Sequence, residues 1–201
     1  MKNLTLIIVL ICSSFIGYGQ QFKYQPDSAF KQQIIKVEFF SPLTGNLTLG
    51  YERYLKNSTS IEAKLGIIGI GQQSDISAKG AFIKIGPKFK LEPEYATSDL
   101  FGTHLLRGQY IRPEIIVGHY RMDDNIYDSR NEQRDITAFS IMINYGKQHV
   151  LGKIMSIDWY MGIGYGFSNE DGESYYFSHF SGNGSYPIAF NAGFTLGFLF
   201  K

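Results

Sequence analysis

Residues 81–91 read AFIKIGPKFKL, a run in which apolar and polar side chains alternate. Ile83 and Ile85 fall on one face of an extended chain, whereas Lys84 and Lys88 fall on the other. A period of two is the pattern of a β-strand, because successive side chains point to opposite faces of a sheet. The stretch therefore predicts a strand with one apolar face and one charged face.

The same alternation recurs in seven further segments of the chain. These segments are 34–41, 46–55, 60–70, 109–121, 137–147, 154–167 and 187–200. Most of them have about the 9–11 residues with which a tilted strand crosses a bilayer. An even number of strands also returns both termini to the same side of a membrane. We therefore predict an all-β fold, an eight-stranded antiparallel transmembrane β-barrel preceded by a signal peptide.

A soluble antiparallel barrel or sandwich would show the same alternation with its apolar face turned inwards. The size of the apolar side chains argues against this alternative, because a small lumen could not hold so many aromatic and branched residues. The other face carries lysine, glutamate, arginine, aspartate and glycine, which suits a polar lumen with lipid outside. The sequence therefore favours the membrane barrel.

The composition supports a sheet and excludes several classes of function. The 201 residues include 22 glycines and 15% aromatic residues, a mixture that weakens helices and suits sheets. A net charge of +1 argues against a nucleic-acid partner. The one cysteine, Cys12, lies near the N-terminus, and the four histidines do not have the spacing of zinc ligands. We therefore expect no cofactor and no metal.

The first 19 residues have the features of a signal peptide. Lys2 provides the positive charge and residues 4–11 the apolar segment, with small residues before the expected cleavage site at Gln20. A lipoprotein signal with Cys12 as the lipidated residue is the alternative, but Ile11 is too bulky for the position before that cysteine. Three regions are predicted: a signal peptide at 1–19, a periplasmic N-terminal tail at 20–33 and an outer-membrane β-barrel at 34–201. Both termini are then expected in the periplasm of a Gram-negative bacterium.

Loop lengths agree with this orientation, with one exception. The outer loops are expected at 42–45, 72–79, 122–136 and 168–186, and the last two are long, polar and exposed. The periplasmic turns at 56–59 and 148–153 are short, as in bacterial barrels. The exception is 92–107, a long periplasmic connection between strands that carry Pro87 and Pro113. A bulge or a folded turn is expected there, because each proline removes a donor from the sheet.

The charged residues of the polar face are predicted to fill the lumen. They are Lys36, Glu38, Glu52, Glu62, Lys64, Lys84, Lys88, Lys90, Arg112, Glu114 and Asp158. Their signs nearly balance, which indicates ion pairs, because an isolated charge in so narrow a space would be costly. An eight-stranded barrel is just wide enough for its own side chains. We therefore expect a plugged barrel with a structural or surface-interaction role, and a narrow channel is an alternative.

Several short motifs resemble a family of small uncharacterised outer-membrane β-barrel proteins. They are Ser41-Pro42-Leu43-Thr44-Gly45-Asn46-Leu47, Gly50-Tyr51-Glu52, Ile68-Gly69, Gly80-Ala81-Phe82 and Gly108-Gln109-Tyr110-Ile111-Arg112-Pro113-Glu114. This resemblance covers roughly residues 34–121 and implies fold and location but no catalytic residue. Such barrels contact outer-membrane lipid and lipopolysaccharide. Their C-terminal aromatic is read by the barrel assembly machinery, and here that residue is Phe200, one position before the end.

A second, shorter resemblance concerns possible chemistry. His179-Phe180-Ser181 is similar to the His-x-Ser region of outer-membrane lipid A deacylases, which implies Ser181 as the nucleophile and His179 as the base. Those enzymes place an acidic residue downstream, whereas here no aspartate or glutamate follows Glu173. A serine- and glycine-rich surface loop explains the same residues. We therefore expect no enzymatic activity, with a lipid A deacylase-like hydrolase as the alternative.

Overall fold

The computed structural model describes residues 31–56, 58–70, 77–91, 104–123, 133–152, 154–169, 174–177, 180–183 and 186–201. The predicted signal peptide and most of the predicted tail lie outside these residues. The described residues form ten strands: β1 (Gln33–Glu38), β2 (Asn46–Lys56), β3 (Thr59–Ile68), β4 (Ser77–Lys90), β5 (Gly108–Asp123), β6 (Gln133–Leu151), β7 (Met155–Ser168), β8 (Ser174–Phe177), β9 (Phe180–Asn183) and β10 (Tyr186–Phe200). A 3-10 helix, Ser41–Thr44, connects β1 to β2.

Eight of these strands close into an antiparallel barrel. The ring runs from β1 to β7 in chain order and continues to β10, which pairs with β1 and so completes the barrel. The hairpin of β8 and β9 lies outside the ring and pairs with the first residues of β10 through β9. The predicted all-β, eight-stranded antiparallel barrel is therefore confirmed. The first residue of β1, Gln33, pairs with the last residue of β10, Phe200. We call the end of the barrel where these residues lie the terminal end, and the opposite end the far end.

The register of the strands fixes the geometry of the barrel. Following the paired residues around the ring from Ile35 leads to Ile188 on β10, whereas Ile35 itself pairs with Phe198. The difference of ten residues is the shear of the barrel. With a rise of about 3.3 Å per residue and a strand spacing of about 4.8 Å, this shear tilts the strands by about 40°. The backbone radius is then about 8 Å, which leaves room inside for side chains only.

The two faces of the strands are distributed as the alternation predicted. On β4, Ile83 and Ile85 are 48% and 42% exposed, whereas Lys84 and Lys88 are fully buried. Every strand of the ring exposes large apolar side chains on its outer face. These side chains form an apolar belt, which includes, from each strand of the ring, a residue that is between 45% and 57% exposed: Ile35, Leu49, Leu65, Ile83, Ile115, Ile141, Ile163 and Phe190. Charged and small residues therefore face inwards and apolar residues outwards.

The strands extend further than the apolar alternation suggested, and this corrects two predicted loops. β5 continues to Asp123 and β6 begins at Gln133, so that both ends of the predicted loop 122–136 belong to strands. The predicted loop 168–186 contains β8 and β9. These segments are polar, but backbone hydrogen bonds between strands do not require an apolar side-chain pattern.

The first strand is shorter than predicted, because β1 ends at Glu38 and not at residue 41. Pro42 lies in the 3-10 helix and Gly45 ends it with a φ of 75°, a conformation that favours glycine. If the strand continued to residue 41, Phe40 would share the inner face with Lys36 and Glu38. Instead Phe40 is 42% exposed, and its ring centre lies 5.1 Å from that of Phe39. Within the part of the chain that the structure describes, no helix is long and apolar enough to cross a membrane.

The two prolines near the long connection face each other. The register between β4 and β5 pairs Ile85 with Ile115 and resumes at Phe89 with Ile111, so that Pro87 lies opposite Pro113. The register is the same on both sides, and the expected bulge is therefore wrong for this position. The two missing N–H donors fall in a single cross-strand pair, so that the loss of hydrogen bonds is confined to one position of the sheet.

Candidate functional site: the barrel lumen

The lumen contains the charged residues that the sequence pattern places on the inner face. Ten of the eleven are buried: Lys36, Glu38, Glu52, Glu62, Lys64, Lys84, Lys88, Arg112, Glu114 and Asp158. The eleventh, Lys90, is half-buried near the terminal end, where its ammonium donates to the backbone oxygen of Leu106 at 2.8 Å. The ten buried groups comprise five cations and five anions. The described lumen therefore carries no formal excess charge from these residues.

Three carboxylates form the centre of the lumen. Glu52, Glu62 and Asp158 each have an oxygen within 4.8 Å of the other two, a spacing that could hold a metal ion. The Lys36 ammonium lies 2.5, 2.6 and 2.8 Å from these three carboxylates. The Lys88 ammonium lies 3.2, 2.8 and 2.7 Å from the same groups. Two lysines therefore supply the positive charge that a cation would bring, and a metal would have to displace them.

Glu62 connects this centre to a second group of charges. Besides Lys36 and Lys88, it forms ion pairs with Arg112 and, at 3.4 Å, with Lys64. Arg112 also lies 3.2 Å from Glu114. Glu62 thus faces four cations, more than any other carboxylate among the described ion pairs. Its charge is the one on which most of the network depends.

Glu38 and two tyrosines complete the charged layer. Lys64 donates to Glu38 at 2.8 Å, and the Tyr160 hydroxyl donates to the same carboxylate. The Tyr110 hydroxyl donates to Asp158 at 2.8 Å. Each ring also lies beside a lysine ammonium, at 4.1 Å from the ring centre, an arrangement that stabilises buried cations. The predicted set of lumen charges includes neither tyrosine, although the alternation places both on the same face as Arg112 and Asp158.

Apolar side chains occupy the lumen towards the far end. Phe82, Ile116, Tyr120 and Met142 are at most 2% exposed and lie on the lumen side of their strands. Together with other buried residues they form one cluster, here called the far cluster: Ile68, Phe82, Ile116, Tyr120, Ile136, Ala138, Met142 and Ala189. The charged layer is therefore separated from the far end by packed apolar groups.

A second apolar cluster lies at the terminal end, and it includes a residue of the long connection. Leu106 is fully buried among Ile34, Val150 and Leu199, which all face the lumen. The backbone around Leu106 forms a turn, because the Arg107 N–H donates to the His104 oxygen at 2.9 Å. At least the described part of connection 92–107, residues 104–107, is therefore folded into the mouth of the barrel. This accounts for a long connection at an end where turns are otherwise short.

Aromatic residues surround the outer surface near the terminal end. Tyr51 and Tyr145 each donate from the hydroxyl to a glutamine that lies closer to that end, Gln33 at 2.7 Å and Gln109 at 3.1 Å. The ring of Tyr145 also packs against Trp159. The rings of Tyr51 and Tyr145 therefore lie beside the apolar belt, and their hydroxyls point towards the terminal end.

The proposed hydrolytic pair is described only in part. His179 lies outside the described residues. Ser181 belongs to β9, where its backbone pairs with Phe190 on β10 and Tyr176 on β8. The position of Ser181 in a short hairpin at the far end is therefore known, and its side chain is not described.

Comparison with known proteins gives the relatives of this chain. No match is found among curated proteins. Among solved structures, the N-terminal β-barrel domain of Pseudomonas aeruginosa OprF aligns with a TM-score of 0.48 and 12% identity, over 85% of this chain and 98% of that domain. The family model described as "Protein of unknown function (DUF3575)" matches residues 5–185. This match covers most of the sequence, and the chain therefore belongs to the DUF3575 family of proteins of unknown function.

Proposed function

We propose that the protein is an outer-membrane barrel with a closed lumen and a structural or surface-interaction role. The observation that carries this proposal is the distribution of side chains, with an apolar belt outside and ten buried charges inside. Monomeric soluble proteins rarely expose continuous apolar surfaces of this extent. Lipid around the barrel would cover the belt. Ion pairs within the lumen, such as that of Lys36 with Glu62, stabilise the buried charges.

The dimensions of the belt support a membrane position. On β7, exposed or half-exposed apolar side chains continue from Trp159 to Phe167. Eight residues at the tilt of this barrel span about 20 Å along its axis, close to the height of the apolar band of bacterial barrels. Tyr51 and Tyr145 fit the interface at one border of this band, because a ring with a hydroxyl group suits the boundary between lipid and water.

The orientation follows from the predicted export signal. A cleaved signal peptide at 1–19 and periplasmic termini place the terminal end in the periplasm and the far end outside the cell. β5, β6 and the hairpin of β8 and β9 then extend towards the surroundings and present the loops between them to a surface partner. Outer-membrane lipid and lipopolysaccharide would contact the belt, and the barrel assembly machinery would recognise β10, which carries Phe200.

We expect the purified protein to form a heat-modifiable barrel that shows no steady conductance in a planar bilayer. The reason is that the charged layer is enclosed by apolar clusters at both ends, so that ions would have to cross packed side chains. Extraction from outer membranes and a gel-mobility shift on heating test the barrel, and bilayer recordings of the same preparation test the closure. Regular ion-selective openings would favour the channel alternative, and a protein recovered in the soluble fraction would refute the membrane position.

We also expect the protein to leave lipid A intact. The sequence offers no acidic residue after Glu173 to orient His179 and stabilise its charged form. Mass spectrometry of lipid A from cells with and without the protein should show the same acyl chains. Loss of one acyl chain that disappears in a Ser181→Ala variant of equal abundance would establish the hydrolase instead.

A further inference from the structure

The outer face of the barrel carries a row of charges just beyond the apolar belt at the far end. Lys79 on β4 lies directly opposite Arg121 on β5, and Arg121 lies opposite Asp135 on β6. All three side chains are exposed. This row of Lys79, Arg121 and Asp135 is here called the rim row.

Two cations face each other in the rim row without a full set of counter-charges. Directly opposite residues in an antiparallel pair have Cβ atoms about 4.5–5.5 Å apart, and like charges at this distance repel. Arg121 donates to both Asp135 oxygens, at 2.9 and 3.4 Å, and this hydrogen bonding lowers the pKa of the Asp135 carboxyl. Among the described residues, no carboxylate is within ion-pair distance of the Lys79 ammonium. Within the described residues, Asp135 therefore pairs with Arg121 but not with Lys79, and a further anion would relieve the repulsion between the two cations.

Each residue of the rim row lies a fixed distance along its own strand from an exposed apolar residue of the belt. On each of these three strands, the residue four positions closer to the terminal end is apolar. These residues are Ile83, Val117 and Phe139, and they lie opposite one another in a second row. All three of these side chains are exposed, between 38% and 48%. At the tilt of this barrel, four residues correspond to about 10 Å along the axis. A lipid whose acyl chains pack on the lower row would thus bring its headgroup to the rim row.

We propose that Lys79 and Arg121 bind a phosphate group of a phosphorylated glycolipid in the outer leaflet. The inference rests on the proposed membrane position and adds the chemistry of a bound partner. Two cations of different geometry suit a phosphate, since the guanidinium donates in a fork and the ammonium acts as a point charge. The apolar row beneath them selects a lipid over a soluble anion, because a free phosphate gains nothing from Ile83, Val117 and Phe139.

The test is native mass spectrometry of the heat-modifiable protein in detergent micelles, titrated with bis-phosphorylated lipid A and with its dephosphorylated counterpart. We expect the phosphorylated lipid to bind more tightly to the unchanged protein. In the double variant Lys79→Gln, Arg121→Gln we expect that binding to weaken about 30-fold, because each basic residue near a lipid surface contributes a factor of about five to six. Arg53→Gln is the matched control, because Arg53 is an exposed basic residue near the terminal end and should not change binding.

A third variant is expected to change lipid binding in the opposite direction. Asp135→Asn removes the anion that competes for Arg121, and we expect it to strengthen binding of the phosphorylated lipid. Equal binding of the two lipids, or unchanged binding in the double variant, would overturn the inference. Displacement of the lipid by millimolar inorganic phosphate would overturn the choice of a lipid ligand. If the proposed function itself failed, the protein would show no heat-modifiable form, an outcome that is read before any lipid is added.

Discussion

Replacing Glu62 with glutamine is expected to lower the free energy of unfolding by about 3–5 kcal/mol, the usual cost of removing one partner from a buried ion pair. The substitution keeps the size of the side chain and removes one negative charge. Four cations, Lys36, Lys64, Lys88 and Arg112, each lose a carboxylate partner, and the lumen keeps five buried cations against four anions. Urea titration of the barrel in lipid vesicles, followed by the heat-modifiable gel shift, measures the effect.

Two further variants show whether burial is the cause. Asp135→Asn removes a carboxylate from an exposed ion pair with Arg121 and is expected to change the stability little, because solvent screens such pairs. Adding Lys88→Met to Glu62→Gln restores equal numbers of buried cations and anions, and part of the lost stability should return. If Glu62→Gln were as mild as Asp135→Asn, the lumen would be hydrated and the closed interior proposed here would be wrong.

The inner and outer faces of the strands could be predicted because alternation depends only on sequence position. Lys84 and Ile85 are neighbours, and a β-strand places them on opposite faces whatever surrounds the barrel. The same parity assigns Phe82, Tyr110 and Tyr160 to the lumen. None of the three was included in the predicted lumen network, because that network was built from charged residues alone.

Strand ends were harder to predict, because they depend on partners distant in sequence. β5 and β6 continue past the last apolar alternation, where Arg121 pairs with Asp135 and His119 lies 3.0 Å from the Thr137 hydroxyl. These contacts exist only once the two strands are in register. The position of Leu106 in the mouth of the barrel is of the same kind, since its cluster joins Ile34 and Leu199 from opposite ends of the chain.

The second large effect is expected for Ile141→Lys, which places a charge in the middle of the apolar belt. Ile141 is 51% exposed on the outer face of β6 and has the exposed apolar residues Phe139 and Ile143 on either side along the strand. A lysine on the lipid face costs about 2–4 kcal/mol near the bilayer midplane. We expect a fall in the free energy of unfolding of this size, and less folded protein in the outer membrane.

Thr137→Lys is the matched control, because Thr137 lies on the same face of the same strand, four residues closer to the far end. At the border of a bilayer the cost of a lysine falls to about 0–1 kcal/mol. A difference in height of about 10 Å along the barrel axis therefore predicts a large effect at one position and a small one at the other. Both variants add the same side chain to an outward position of β6, so that a general effect of lysine on the strand would make them equal. Equal stability of the two variants would mean that no lipid surrounds Ile141, and the apolar belt would then require a protein partner to cover it.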